Sequence, residues 1–99
     1  MKLMTKKIEK DLEKYPIYSQ DGKKGEADVI CKFFFGAYTW YVLEGHKIEN
    51  DYEFFGIIEY NGEREYGYFY LSQLASVKYM GYPCVERDLY FDKCKVKDI

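Results

Sequence analysis

The sequence predicts an α+β domain: an antiparallel meander sheet of four to five strands, packed against an N-terminal helix and a helix near the C-terminus. Three observations indicate this class. Apolar residues recur at helical spacing near the start, alternating apolar and aromatic residues fill the middle, and an Asn-Gly pair separates two of the alternating runs. The 99 residues are the length of a single domain, 1–99.

The stretch "TKKIEKDLEKY" predicts the first helix. Thr5 is a suitable N-cap, and Met4, Ile8 and Leu12 recur at four-residue steps, which forms one apolar stripe. Pro16 is expected to end the helix, because proline cannot donate the backbone hydrogen bond that a helix needs.

Two runs of β-branched and aromatic residues predict the first two strands. In "DVICKFFF", alternation puts four side chains on one face, namely Val29, Cys31, Phe33 and Phe35. The run "YTWYVLE" is apolar on both of its faces, so we expect cover on both sides of this strand. The following "GHKIEND" is expected to be a connection.

A hairpin is predicted around Asn61-Gly62, because both central residues of a type I′ turn need positive φ. "YEFFGIIEY" leads into the turn and "REYGYFYL" returns from it, with Tyr66, Tyr68 and Tyr70 on one face. Ser72 is then expected to cap a helix in "SQLASVKYM", with Gly81 as its C-terminal stop. "VERDLYF" predicts a short strand at a sheet edge, and the polar tail is expected to fray.

Charge and cysteine content argue against several classes. The net charge is −2, from 15 basic and 17 acidic residues, which gives no broad electrostatic footprint for nucleic acid. Cys31, Cys84 and Cys94 lack paired spacing, so neither a disulfide framework nor a zinc site is expected. No apolar run approaches the ~20 residues of a membrane span. We expect a reduced, cytoplasmic protein without a cofactor or a metal.

The one histidine, His46, is expected in a loop beside Glu44. A histidine with a carboxylate can act as a general base, so an enzyme using His46 with a carboxylate remains an alternative. Because no second histidine, nucleophile motif or phosphate-binding loop accompanies it, we expect a non-catalytic protein.

A charged triplet, Glu86, Arg87 and Asp88, interrupts an otherwise apolar stretch near the C-terminus. In an extended backbone, Arg87 shares its side with Val85 and Leu89, while Glu86 and Asp88 point the other way. One hypothesis is a structural clamp in which Arg87 pairs with an acid such as Glu53 or Glu59. The other hypothesis is that Arg87 and a carboxylate face outward and bind a partner.

The second candidate site is an aromatic strip on neighbouring strands, formed by Tyr38, Trp40, Tyr66, Tyr68 and Tyr70. A small domain needs its aromatic residues inside, so packing under a helix is the favoured interpretation. An exposed strip would instead be a protein-binding patch, because Tyr and Trp are hot-spot residues. Such a strip could also stack the bases of a single-stranded nucleic acid.

The chain as a whole resembles a bacterial family catalogued as domain of unknown function twenty-nine fifty-eight. The resemblance depends on the order and spacing of six stretches, "MKLMTKKI", "VICKFFF", "TWYVLE", "FFGIIE", "GYFYLSQLASV" and "VERDLYF". It implies a small accessory protein of phages, plasmids and integrative elements. It implies no reaction, ligand or partner.

Three functions follow as hypotheses. The first is a non-catalytic accessory protein of a mobile genetic element that binds a host protein, for example as an anti-CRISPR inhibitor of a defence nuclease. The alternative is a nucleic-acid-associated module that uses the lysines near both termini to contact phosphate. The second alternative is the enzyme that uses His46.

Overall fold

The computed structural model describes residues 1–99 and contains a five-stranded antiparallel sheet with two α-helices. The helices are α1 (Lys6–Leu12) and α2 (Leu71–Ser76). The strands are β1 (Asp28–Val29), β2 (Cys31–Phe35), β3 (Tyr38–Ile48), β4 (Asp51–Tyr60), β5 (Glu63–Tyr70), β6 (Lys78–Tyr79), β7 (Tyr82–Pro83), β8 (Glu86–Arg87) and β9 (Cys94–Lys95). The main sheet has the order β5-β4-β3-β2-β8. The predicted meander is therefore present, and β8 adds a fifth strand at one edge.

The N-terminal helix forms as its sequence predicts. The Thr5 hydroxyl accepts a hydrogen bond from the Ile8 backbone N–H at 3.1 Å, which satisfies a donor that the first turn leaves free. Met4, Ile8 and Leu12 are all buried in the main core. The helix ends at Leu12, and turns carry the chain to Pro16.

The sheet is covered on both sides, as the two apolar faces of the second predicted strand indicate. One side, the helix face, carries Phe33, Val42 and Phe54, which pack with α1 and α2 in the main core. The other side, the open face, carries Tyr41, Leu43 and Ile57 in a smaller core under the C-terminal residues. The open face near β5 lies outside this smaller core.

The predicted first strand is interrupted at Ile30, and its expected face is partly wrong. Cys31 and Phe33 lie in the main core, but Val29 lies in the smaller core on the open face. Val29 belongs to β1, which pairs with β9 in a separate two-stranded sheet. Because Ile30 itself turns into the main core, the alternation does not continue through it.

Three predicted boundaries, from the end of β3 onward, also need correction. Only Glu49 and Asn50 of "GHKIEND" form the connection, because β3 continues to Ile48 and β4 begins at Asp51. Ser72 is not the N-cap of α2, since Tyr70 occupies that position and the Ser72 hydroxyl bonds Asp51. Gly81 does not end the helix either. Met80 and Gly81 have φ of 53° and 85° in the turn of the β6–β7 hairpin.

The tail is held in place, contrary to the expectation that it frays. β9 pairs with β1, Lys95 Nζ lies 3.0 Å from an Asp28 carboxylate oxygen, and Lys97 Nζ lies 2.6 Å from a Glu26 oxygen. Hydrogen bonds from Lys95 and Tyr15 lower the pKa of Asp28 below its usual 3.8, and the Lys97 contact lowers the pKa of Glu26 below its usual 4.5.

Acid should loosen the tail through these two carboxylates. A lowered pKa in the folded state contributes stability that is present above pH 4.5 and is lost as the pH falls through the folded-state values. We expect the thermal midpoint to fall between about pH 6 and about pH 3. The Glu26→Gln/Asp28→Asn variant should show a smaller decrease, and an equal decrease in both proteins would assign the effect to other groups.

The Asn61-Gly62 hairpin is confirmed, with φ of 51° and 84° at the two turn residues. Gly62→Val should lower the free energy of unfolding by about 1 kcal/mol or more, because a β-branched residue resists positive φ. A Cβ at Gly62 would meet no atom within 4 Å, so the cost comes from the backbone alone. Urea denaturation measures it, with Asn61→Gly as the control that should lose little. An unchanged midpoint for Gly62→Val would contradict this account.

Candidate functional site

The predicted aromatic strip does not exist as one surface. β4 lies between β3 and β5, and residues that pair directly across antiparallel strands share a face. Trp40 pairs with Ile58 on the helix face, whereas Tyr66 pairs with Ile57 on the open face. Tyr38 therefore accompanies Trp40, while Tyr68 and Tyr70 accompany Tyr66. The expectation of a contiguous strip fails because it ignored the intervening strand.

Trp40 packs against the core on the helix face, whereas Tyr38 remains 42% exposed beside it. Trp40 is half-buried and packs against the main core. The Tyr38 ring stacks on it at a centroid distance of 5.6 Å and meets the Tyr60 ring at 4.3 Å. The favoured interpretation, packing inside the domain, therefore holds for Trp40 and not for Tyr38.

An exposed aromatic surface remains on the open face, and we call it the tyrosine surface. It consists of Tyr18, Phe55, Tyr66 and Tyr68. Tyr18 is 68% exposed, Tyr66 56% and Tyr68 48%. The Phe55 ring lies 5.9 Å from Tyr66 and 5.0 Å from Tyr68, so it supports both rings from the neighbouring strand. Side chains that pack together and yet remain half exposed are suited to contact a partner.

A depression of about 480 Å³ continues the tyrosine surface toward the end of β3. Its lining includes Tyr18, Tyr68, His46 and Glu53. Burial raises the pKa of Tyr68, and a hydrogen bond with Tyr18 raises it further.

His46 lies in β3 and not in the loop that its sequence context predicts. Its Nε2 atom is 2.8 Å from Glu53 Oε1, and the Tyr70 hydroxyl donates to Glu53 Oε2 at 3.1 Å. The contact with Glu53 raises the pKa of Tyr70. Glu44, which precedes His46 by two residues, accepts backbone N–H groups of a loop and does not contact the imidazole. The carboxylate beside His46 is thus Glu53, which faces it across the β3–β4 ladder.

The loop that carries Tyr18 depends on two buried polar residues that the sequence analysis missed. Glu44 is only 2% exposed, and its carboxylate accepts the backbone N–H groups of Tyr18 and Gln20, both at 2.8 Å. The buried Gln20 side chain donates to the carbonyls of Asp28 and Leu43, also at 2.8 Å. The sequence signal for Glu44 is an acid that directly follows the apolar run from Trp40 to Leu43.

The charged triplet anchors chain segments to each other. The Arg87 guanidinium donates to the carbonyls of Lys2 and Leu3, the latter at 3.2 Å. The Asp88 backbone N–H donates to the Lys32 backbone carbonyl at 3.0 Å. The Asp88 carboxylate also lies 3.5 Å from the Lys32 side-chain ammonium. Asp88 therefore has a structural role, contrary to its expected outward position, and only Glu86 is exposed.

Arg87 joins two chain segments through backbone carbonyls and not through the carboxylate pair that the clamp hypothesis expected, so the expected partners are wrong. Glu53 contacts His46 and Tyr70, and Glu59 accepts from Arg64 Nε at 2.6 Å. The reason is topological, because β8 pairs with β2 while both glutamates lie on β4, with β3 in between. Leu89 does not share a buried side with Arg87 either, since β8 ends at Arg87 and Leu89 is 61% exposed.

Arg87→Ala should lower the free energy of unfolding by roughly 1–2 kcal/mol, because two backbone carbonyls lose a charged donor in a half-buried position. Arg87→Lys should recover only part of the loss, since one guanidinium nitrogen, Nη1, donates both bonds and the lysine nitrogen is one bond closer to the backbone. Chemical denaturation of both variants measures the effect, with Glu86→Ala as the exposed control. Parent-like unfolding of Arg87→Ala would refute the clamp.

The lysines near the two ends are partly engaged with acids. Lys7 lies 2.9 Å from Asp11, in addition to the contacts of Lys95 and Lys97. The Lys93 ammonium lies 4.8 Å from the centroid of the Tyr15 ring. These contacts reduce the positive charge that is free to meet a phosphate.

No group of three or more His, Cys, Asp or Glu side chains has a geometry that could hold a metal ion. Neither helix has the length and apolar character that crossing a membrane requires. All three cysteines are free, with Cys31 buried in the main core as expected, and burial raises the pKa of its thiol to about 12.

Fold and site together define a small α+β domain with an exposed tyrosine surface on one side of its sheet. The family model described as a protein of unknown function, DUF2958, matches residues 3–96. The chain belongs to this family, and the resemblance carried by its six sequence stretches is confirmed. Comparison with curated proteins and with solved structures gave no match.

Proposed function

We propose that this chain is a non-catalytic protein-binding protein that contacts its partner through the tyrosine surface. The observation that carries the proposal is the packing of Tyr66 and Tyr68 on Phe55, with about half of each tyrosine exposed to solvent. Aromatic rings held in place in this way bury much area on binding and lose little conformational freedom. Tyrosine is among the residues that contribute most to binding energy at interfaces.

The class of partner that we propose is a host protein. The basis is the mobile-element setting that the family resemblance implies, together with the small size of the chain. A phage or plasmid product of this kind acts by blocking a surface of a larger host protein. A defence nuclease, such as a CRISPR effector, is the partner that would make the protein an inhibitor.

The enzyme that uses His46 remains the second candidate, because one observation favours it. His46, Glu53 and Tyr70 form a continuous chain of contacts, and the first two of them line an open depression. Glu53 would orient the imidazole, which could then accept a proton from a bound group. Both Glu53 oxygens are occupied by neighbouring side chains, so the same contacts also suit a purely structural role.

Capture from a nuclease-treated bacterial host lysate tests the protein-binding proposal. The immobilised chain should retain a defined protein. The Tyr66→Ala/Tyr68→Ala variant should retain at least about ten-fold less of it, which corresponds to a loss of ~1.4 kcal/mol of binding free energy. Tyr82→Ala is the matched control, because Tyr82 is 75% exposed on the separate β6–β7 hairpin. Equal retention by the double variant and the parent would refute the use of this surface.

The same experiment separates the alternatives. A nucleic-acid module would lose its captured material on nuclease treatment, and its binding would weaken steeply with salt. An enzyme would need His46, whereas the protein-binding proposal expects His46→Ala to keep most of the captured protein. A loss of captured protein caused by His46→Ala in a folded chain, without any loss in the tyrosine double variant, would refute the tyrosine surface and move the binding site to the depression that His46 lines.

A further inference from the structure

β5 is the long free edge of the main sheet, and its unpaired backbone groups can be assigned. Tyr60 and Glu63 flank the two-residue turn at Asn61-Gly62, so their backbone groups bond each other. In an antiparallel ladder, successive residues of one strand point their N–H and C=O groups to opposite sides. The groups of Arg64, Tyr66, Tyr68 and Tyr70 therefore point away from β4.

Tyr70 does not share this freedom. Its N–H donates to the Gln73 side-chain oxygen at 2.9 Å, and α2 begins at the next residue. That bond also supports the assignment, because it shows the Tyr70 N–H on the outer side of the strand. Three residues with free outward backbone groups remain, namely Arg64, Tyr66 and Tyr68. This set is symmetric about Tyr66.

We propose that β5 pairs with β5 of a second copy of the chain, antiparallel and centred on Tyr66. The two-fold axis would pass beside Tyr66, so Tyr66 would face its own counterpart and Arg64 would face Tyr68 of the second copy. All three free residues on each strand would then bond partners that are equally free. A contact of this kind uses the same patch on both copies and closes after two subunits.

Charge supports this register over its neighbours. In the pairing centred on Tyr66, Glu63 faces Phe69 of the second copy and Glu65 faces Gly67 of the second copy. No charged residue therefore faces another. Centred on Glu65, the two Glu65 side chains would oppose each other. Centred on Arg64, the two Arg64 side chains would oppose each other, and Glu63 would oppose Glu65. Like charges directly opposite each other destabilise a strand pair.

Two other arrangements are less favourable. In a pairing centred on Gly67, Arg64 would face Tyr70, whose backbone N–H already donates to the Gln73 side chain. The opposite edge of the sheet offers few backbone groups to an added strand, because β8 has only two residues. The next backbone N–H along the chain, that of Asp88, already donates to the Lys32 carbonyl. An exposed edge strand of eight residues is, in contrast, a ready site for adding a strand.

The pairing would make one continuous ten-stranded sheet from two copies. It would also bring the two tyrosine surfaces side by side on the same face, because outward backbone groups pair while the side chains of Tyr66 and Tyr68 remain on the open face. The inference does not depend on the proposed function, since a monomeric chain could bind a host protein through the same side chains.

Sedimentation equilibrium with the full chain tests the pairing. The parent is expected to approach twice its chain mass of 11.9 kDa as the concentration rises. Tyr66→Pro should stay monomeric, because it removes an outward N–H that β4 does not use, and Tyr66→Ala should still associate because it keeps that N–H. A parent that stays monomeric at millimolar concentration, or a Tyr66→Pro variant that associates like the parent, would overturn the proposal.

Cross-linking tests the register without a proline. In a Cys84→Ser/Cys94→Ser background, Tyr66→Cys puts two thiols at the axis, with Cα atoms ~5.5 Å apart and within disulfide range. Glu63→Cys is the control, because its two copies would lie six residues apart along the strand, roughly 20 Å. Mild oxidation should give a covalent dimer of the first variant only. Equal cross-linking of the two, or none in the first, would refute a pairing centred on Tyr66.

Discussion

Gly56→Ala is expected to lower the free energy of unfolding by at least about 3 kcal/mol, because backbone atoms occupy the space that a side chain would need. A Cβ at Gly56 would overlap the carbonyl oxygen of Tyr41 and lie 2.9 Å from its carbonyl carbon and 3.2 Å from Val42 Cα. The close approach occurs beside the β-bulge where the β3–β4 register shifts between Val42 and Glu44. Backbone cannot move aside as a flexible side chain does, so the sheet must open.

Gly67→Ala is the matched control, because Gly67 pairs directly with Gly56 on the next strand. Its added Cβ would meet only Ile58 Cδ1, at an ordinary contact distance of 3.5 Å. Urea denaturation of both variants separates the clash from the general effect of replacing a strand glycine. Similar unfolding midpoints for the two variants would show that the β3–β4 approach is looser than described.

Glu44→Ala is expected to cost about 3 kcal/mol and to release the loop that carries Tyr18. The substitution leaves two buried N–H groups, of Tyr18 and Gln20, without their charged acceptor. Hydrogen bonds to a charged group contribute about 1.5–3 kcal/mol each, and the variant also leaves a cavity. Since Tyr18 belongs to the tyrosine surface, the loss of stability should be accompanied by weaker partner capture.

Glu44→Gln separates the two contributions. It keeps the volume and one acceptor oxygen but turns an NH₂ group toward one of the two donors, so an intermediate loss is expected. Glu65→Ala, at an exposed position of β5, is the control for removing a negative charge. Amide hydrogen exchange should show faster exchange at Tyr18 and Gln20 in Glu44→Ala. Unchanged protection there would contradict the role assigned to Glu44.

Local sequence signals predicted the elements that depend on local chemistry. Thr5 with the Met4, Ile8 and Leu12 stripe defines α1, and Asn61-Gly62 defines the central hairpin, because capping and positive φ act within a few residues. The meander followed from these signals, since short connections place successive strands side by side. The cover on both sides of β3 followed from its two apolar faces.

The failures of sequence reasoning concern contacts between distant segments. The residues of the predicted aromatic strip lie on two different faces of the sheet because β4 separates β3 from β5. The number of strands between two others is not a property of local sequence. Arg87 donates to the carbonyls of Lys2 and Leu3, more than eighty residues away along the chain. No rule of sequence spacing identifies such a contact. The exchange of faces at Ile30 and the bulge at Leu43 have no clear sequence signal, yet they decide where Val29 and Glu44 point.

Site-specific photo-crosslinking in the bacterial host tests the protein-binding claim most directly. A benzophenone amino acid replaces Tyr68 in one variant and Tyr82 in the other, so both probes are exposed but only the first lies on the tyrosine surface. A covalent adduct with a host protein is expected from position 68 and none from position 82. A host adduct only from position 82, or equal adducts from both positions, would contradict the protein-binding claim.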